Sequence, residues 1–441
     1  MASAADRLPV APSAPAYAWY VALLLATAHL VSFIDRYLMS LMMEPLKADL
    51  GVSDTQLGLL QGTGFVVLYT LVAVPLGLTA DRVNRRNLIV AGILVWSLAT
   101  AMCGLASSFG WLFAARIGVG FGEAALVPAA MSLLAAYFPR HQLGRAVSLF
   151  TTGASLGKSA ALIGGGAVLA VLTIAGGFDL VGFGRLAPWQ GTFVVMAIPG
   201  IVLALLMFSV REPARAVSLT ARPGVAEAWR YVVANRAAFI RHTGASALVV
   251  LTIQSLGAWA PSFYVRFFDM TPPQAGLAIG SVILVAAPLG HLTGGMLTDW
   301  FQARRWPSPA APVIVIGLAC AIPSVMLFVT SSSLPVSLAA YGLLSFFATL
   351  AAPASLAGVQ MLTPDRLRGI VTSMFLAVTT LVGIGIGPAL IGICSDLAGG
   401  PLELGNALMI VISGVAAIGI ALALASQRPF ERTAALTAAA R

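Results

Sequence analysis

Five ionisable residues stand where ionisable residues are costly. Asp35, Arg36, Arg116, Glu123 and Lys158 lie inside long apolar runs in the first half of the chain. A charge at the centre of a lipid-spanning helix costs about 2.5–3.5 kcal/mol on insertion scales, so such residues usually face a partner or a water-filled cavity. Asp35 and Arg36 are neighbours, so on a helix they point about 100° apart and need not pair. Arg116 and Glu123 are seven residues apart and fall on nearly one face. Gly120 and Gly122 beside Glu123 leave room for another helix or a ligand. Two acids and three bases can share one crevice, and a carboxyl group removed from water binds a proton more readily. A reversible proton carrier requires that property. Asp35 and Glu123 are therefore the expected protonation pair, with Arg116 modulating Glu123. Arg36 or Lys158, with Glu123 beside them, are the expected contacts for an anionic head group. The plainer reading is a set of fixed ion pairs holding three helices together. His29 and His291 read as packing or water-bonded histidines rather than ligands.

The elements that carry these residues follow from composition. The chain is 59% hydrophobic and 9% charged, where a soluble domain carries about 25% charged residues. So little polar surface cannot coat a soluble globule. Spans of about 20 apolar residues place twelve helices at 17–43, 55–79, 87–107, 111–136, 142–172, 190–210, 242–266, 274–298, 311–331, 335–361, 367–394 and 404–426. The first apolar stretch is too long for a cleaved signal peptide, so it is expected to remain as a helix. Cys103, Cys320 and Cys394 sit inside apolar runs and match no metal or disulfide spacing.

Orientation follows from the basic residues. With the N-terminus inside, nineteen of the 25 Lys and Arg fall on inner segments. Three (Lys47, Arg185, Arg266) fall on outer ones, and three (Arg36, Arg116, Lys158) lie within helices. This asymmetry places both termini in the cytoplasm. It also accounts for the net charge of +9 without nucleic acid. The longest inner segment, 211–241, divides a first bundle (17–210) from a second (242–426), with tails at 1–16 and 427–441. Within it, GVAEAWRYVVANRAAF has the pattern of an amphipathic helix that could lie on the membrane surface, or serve simply as a linker.

The halves repeat each other. Gly77, Asp81 and Arg86 after helix 2 match Gly295, Asp299 and Arg304 after helix 8 at one constant offset. Pro139, Gly144, Ser148 and Phe150 match Pro364, Gly369, Ser373 and Phe375 in the same way. A duplicated six-helix unit with a site between two rocking halves is a common transporter plan. The loops at Gly77, Asp81, Arg82, Arg85 and Arg86, and at Asp299 and Arg304, are the expected gating latches. The plainer reading is a positive cluster that only fixes orientation.

At these residues a resemblance becomes specific. Gly77-x-x-x-Asp81-Arg82-x-x-Arg85-Arg86 resembles the signature loop of the major facilitator superfamily. Arg116-x-x-x-Gly120-x-Gly122-Glu123-Ala124 resembles its helix 4 motif. FIDRY at 33–37, SDTQLGLLQG at 53–62 and GVGFGEAALVPAA at 118–130 resemble the spinster branch, which is associated in animals with export of lysolipids and sphingoid lipids. The resemblance implies an all-α membrane protein with twelve transmembrane helices in two pseudo-symmetric six-helix bundles, working by alternating access. Helix 5 lacks the Gly-Pro pair of drug/proton antiporters; a Gly-Pro pair occurs instead in helix 11, as GIGIGPALIG.

The expected function is a proton-coupled transporter of an amphiphilic, lipid-like or organic anion. An organic-anion symporter or a multidrug antiporter of the same superfamily is the alternative. A lipid-modifying enzyme would need a clustered His and Asp constellation, and the four histidines are scattered. A sensor without transport stays open. The second half offers Gln254, His291, Gln360 and aromatics such as Trp259, Phe263 and Tyr264, and so reads as an apolar wall for a tail, unless Trp259 and Tyr264 are interfacial anchors. The expected partners are the bilayer of the inner cell membrane and a small-molecule or lysolipid substrate. A monomer, no cofactor and the proton as coupling ion complete the expectation.

Overall fold

A computed structural model describes residues 15–80, 83–213 and 224–439. Among the described residues, twelve helical segments are long and apolar enough to cross a bilayer: Ala16–Leu50, Asp54–Val72, Arg85–Gly104, Phe109–Tyr137, His141–Ile174, Pro188–Met207, Arg236–Phe267, Pro272–Ala303, Ala310–Thr330, Leu334–Met361, Asp365–Ala398 and Pro401–Thr437. The protein is a multi-pass membrane protein. An even number of crossings puts both ends of the described chain on one side, here termed the terminal side; the other is the far side.

Local chemistry sets the helix ends. Ser53 and Gln56 form a capping box at the start of the second span, with Ser53 Oγ accepting from the Gln56 amide at 3.2 Å. Thr271 and Gln274 do the same at the eighth. Asn84 caps the third span by accepting from the Asn87 amide at 2.9 Å.

Three spans are irregular inside. The second breaks at Gly62, between helices Asp54–Gln61 and Thr63–Ala80. The fourth breaks after Glu123. The eleventh passes through a π-helical turn, Leu381–Ile386, directly before Gly387 and Pro388. Proline lacks an N–H and displaces the preceding turn, which favours this wider winding.

Each half packs in the same order. The first span lies on the fifth, the second on the fourth and the third on the sixth; the seventh lies on the eleventh, the eighth on the tenth and the ninth on the twelfth. Across the boundary the fifth meets the eighth and the second meets the eleventh. These two contacts exchange under the same two-fold relation, so the fold carries the internal repeat of the sequence.

Three features depart from the sequence reading. A short hairpin, Phe178–Leu180 paired with Gly184–Leu186, joins the fifth and sixth spans. Gly182 and Gly184 take φ of 85° and 77° at its turn, which glycine adopts without strain. The final helix continues from Leu404 to Ala439 rather than ending at 426. Its extension packs Phe430 beside Phe239, Leu362 and Leu367. Trp259 and Tyr264 are fully buried rather than interfacial. The Trp259 indole donates to the Pro388 carbonyl, in the helical turn that follows the π-helical winding of the eleventh span, at 2.9 Å.

Candidate functional site

The buried charges of the first half converge. Arg36 on the first span donates to Glu123 on the fourth at 2.5 Å. Ser32, one turn earlier on the first span, donates to the same Glu123 oxygen at 2.7 Å. Phe33 and Phe65 flank the guanidinium, their ring centres 4.6 and 4.3 Å from it, with Tyr69 at 5.5 Å. The Glu123 carboxylate matches the Arg36 charge inside an aromatic cage, while Arg36 Nε has no hydrogen-bond partner among the described residues.

Arg116 does not partner Glu123. Side chains on a helix lean toward its N-terminus, and Arg116 reaches two backbone carbonyls, Leu60 at 3.3 Å and Asp35 at 3.4 Å. It ties the fourth span to the first and second, while its Nη2 has no hydrogen-bond partner among the described residues and its charge acts on Asp35 and Glu123. Gly120 and Gly122 serve the same closeness. A Cβ on Gly120 would stand 2.1 Å from the Phe65 carbonyl oxygen, and one on Gly122 2.6 Å from the Trp96 amide nitrogen. The space beside Glu123 is filled by helices, not by a ligand.

Asp35 differs from every other acid in the cluster. It is 1% exposed, and neither carboxylate oxygen has a hydrogen-bond partner among the described residues. The polar groups that act on it are Glu123, Arg116 and the Thr100 hydroxyl. His29, one and a half turns away, stacks on Phe150 and bonds its carbonyl at 3.0 Å, which is packing.

Lys158 stands apart in a cavity between the halves. Its ammonium lies 4.9 Å from the Tyr37 ring centre and 5.9 Å from that of Phe33, and among the described residues it makes no ion pair. The cavity lies near the middle of the spans. Tyr37 and Lys158 line it from the first half, with His291, Tyr341, Ser345 and Thr349 among the residues of the second. Tyr37 also bridges the halves by donating to Gln254 at 3.0 Å. His291 bonds the Ala287 carbonyl through Nδ1 at 2.9 Å, which leaves Nε2 available. The second-half wall is therefore mixed: Ile253, Leu256 and Ile283 are apolar, but hydroxyls and an imidazole interrupt them.

The expected latch residues divide. Asp81 and Arg82 lie outside the described residues, and Gly77 is described only as helical backbone. Arg85 donates to Glu212 at 2.7 Å and to the Ser132 carbonyl at 3.2 Å, while the Arg86 amide donates to Glu212 at 3.1 Å. These contacts join the third span to the fourth and to the start of the connecting segment. Asp299 and Arg304 are exposed on the terminal side, with Arg304 stacked 3.6 Å from the Trp300 ring centre.

On the far side the halves are bolted by residues that the sequence reading treated as loop charges. Arg266 at the end of the seventh span donates to both oxygens of Asp54, at 2.7 and 2.8 Å, and to Glu44 at 2.9 Å. Lys47 pairs with Asp54 as well. From the eleventh span Ser395 donates to Asp54 at 2.7 Å, and Asp396 accepts the amides of Asp54 and Thr55 at 3.2 and 2.8 Å. An acid at the start of a helix also meets its positive dipole end. The available signal was Asp54 inside SDTQLGLLQG, beside Glu44 and Lys47 and matched in the second half by Arg266.

A model of the Major Facilitator Superfamily matches residues 25–325. The chain belongs to that superfamily. It is a membrane transporter, not an enzyme, and within the Major Facilitator Superfamily it resembles the spinster branch. An MFS-type efflux pump of Mycolicibacterium smegmatis is 29% identical, over 92% of this chain and 91% of its own length. A probable L-galactonate transporter of Escherichia coli is 26% identical, over 68% of this chain and 66% of its own. The crystal structure of a bacterial homologue of the human lysosomal transporter Spinster, inward-facing and occupied, superimposes with a TM-score of 0.78. It is 25% identical and the match covers 96% of this chain and 97% of that one.

Proposed function

We propose that the protein is a proton-coupled transporter of an organic anion with amphiphilic character, working by alternating access in the inner cell membrane with both termini in the cytoplasm. The observation that carries the coupling is Asp35, a buried carboxylate whose oxygens have no hydrogen-bond partner among the described residues, one residue from an arginine already paired with Glu123. A carboxylate so placed gains most from binding a proton, and its charge change alters what the first half can bury. Glu123 is then the fixed counterion of Arg36, and Arg116 positions the backbone at Asp35. Lys158 is the cation left for cargo. The far-side bolt of Arg266, Asp54 and Glu44 belongs to the state open toward the terminal side. The loop at Asp81, Arg82, Arg85 and Arg86 and its repeat at Asp299 and Arg304 are the latches of the opposite state.

The apolar residues Ile253, Leu256 and Ile283 support a lipid tail opposite Lys158, and the resemblance to the spinster branch supports a lysolipid-like cargo by kinship. One observation favours a second reading. Tyr341, Ser345, Thr349 and His291 on the same wall suit a hydroxylated carboxylate, and a relative is named a galactonate transporter. Reconstituted protein should therefore be assayed for uptake of lysophosphatidylglycerol and of galactonate, with and without an imposed proton gradient. Gradient-driven uptake that Asp35→Asn abolishes, while counterflow exchange persists, is the expected result. Gradient-driven uptake intact in Asp35→Asn contradicts the reading.

A further inference from the structure

The segment between the halves carries an apolar face turned away from the protein. Helix Val225–Ala234 follows the sixth span and directly precedes the seventh, so it lies on the terminal side of the bilayer. One face is fixed to the second half. Ala228 is buried, Tyr231 donates to the Leu362 carbonyl at 2.9 Å, Glu227 pairs with Arg366 at 2.7 Å, and Asn235 meets Thr433 at 3.3 Å.

The other face repeats every three to four residues. Val225 is 56% exposed, Trp229 61%, Val233 42% and, in the first turns of the seventh span, Ile240 66%. Arg230 and Arg236 are exposed on the same stripe, with alanines at 226, 234 and 237, and no acid lies on it. A helix bathed on its outer face by water carries charged and polar residues there. This one carries tryptophan, valines and two arginines, the composition of a helix lying in a headgroup region. The stripe also runs without interruption onto a membrane-spanning helix, where an exposed isoleucine meets lipid.

We propose that the face formed by Val225, Trp229, Arg230, Val233 and Arg236 docks into the terminal-side leaflet and binds the headgroups of anionic phospholipids. The apolar side chains enter the acyl boundary and the two guanidiniums take the phosphates, for which their planar fork is suited. Because the opposite face is bonded to the tenth–eleventh connection and to the final helix, this contact pins the second half to the membrane surface. Rocking then falls mainly to the first half.

The test places a bimane label at Val233→Cys in protein whose three native cysteines are replaced. The protein is held in nanodiscs of phosphatidylcholine, alone or mixed with phosphatidylglycerol. Quenching by lipids carrying a shallow nitroxide, little quenching by aqueous iodide, and stronger lipid quenching with phosphatidylglycerol are expected. Arg230→Gln with Arg236→Gln should lower retention of phosphatidylglycerol over phosphatidylcholine in native mass spectra on the order of tenfold. Should that double variant fail to fold, the depth measurement on the labelled parent still decides. Full quenching by iodide, or protection from both quenchers, overturns the proposal: the face would lie in water or against protein. Equal quenching in both lipid mixtures overturns its anionic selectivity.

Discussion

Arg36 and Glu123 meet at 2.5 Å between the first and fourth spans, and both side chains are nearly closed to solvent. In the proposed function that pairing sets the roles in the cluster. It takes Arg36 from the cations free for cargo, makes Glu123 a structural counterion and leaves Asp35 as the acid whose carboxylate oxygens have no hydrogen-bond partner among the described residues.

Breaking the pair from one side should be costly. Glu123→Gln leaves a buried, uncompensated guanidinium, a loss of about 3–5 kcal/mol. The double variant Arg36→Met with Glu123→Gln should recover much of it, since removing both charges is far less harmful than removing one. Thermal unfolding in detergent checks this, and a double variant no more stable than Glu123→Gln would show that the two residues are not coupled.

Opening the bolt should shift the resting state. Arg266→Ala or Asp54→Asn leaves unpaired charge at the far-side seam and favours its separation, by at most a few kcal/mol, enough to reverse a modest preference. Spin-label distances across the far-side ends of the second and eleventh spans should lengthen. Asp81→Asn should act in the opposite sense, lengthening terminal-side distances. Unchanged far-side distances in both bolt variants would reduce the cluster to a static ornament of the loops.

Much of the architecture was readable, and the reasons are physical. Unbroken apolar runs betray spans because lipid tolerates little else, and the Gly77–Asp81–Arg86 repeat marks the duplication. The breaks at Gly62 and after Glu123, and the π-helical turn at Leu381–Ile386, were not readable. Their freed backbone groups find partners on other helices, as when Thr63 donates to the Gly385 carbonyl at 2.8 Å. The buried acids and bases announced a site, but not its pairing. Whether Glu123 meets Arg36 or Arg116 depends on how the first and fourth spans rotate about their axes, which no local pattern records. Arg266 escaped notice because its partners are more than two hundred residues away.

Cargo should be felt at Lys158 rather than at Arg36. Lys158→Gln should weaken binding of an anionic cargo by tenfold or more while leaving the fold intact, because Lys158 makes no ion pair among the described residues. For lysolipids, affinity should rise by about 0.8 kcal/mol per buried methylene until the pocket fills. Isothermal titration across a chain-length series checks both. Galactonate bound as tightly as any lysolipid, with no dependence on tail length, would favour the hydroxylated carboxylate.

In the proposed function the charge on Asp35 selects between the two states, and spin-label distances across the terminal-side ends of the halves test this without knowledge of the cargo. In the unmodified protein the distance distribution should differ between acid and alkaline medium, because a desolvated carboxyl group binds a proton more readily than one in water. Asparagine stands in for the protonated acid, so Asp35→Asn should hold the low-pH distribution at every pH. A variant that still switches with pH like the parent would contradict the account.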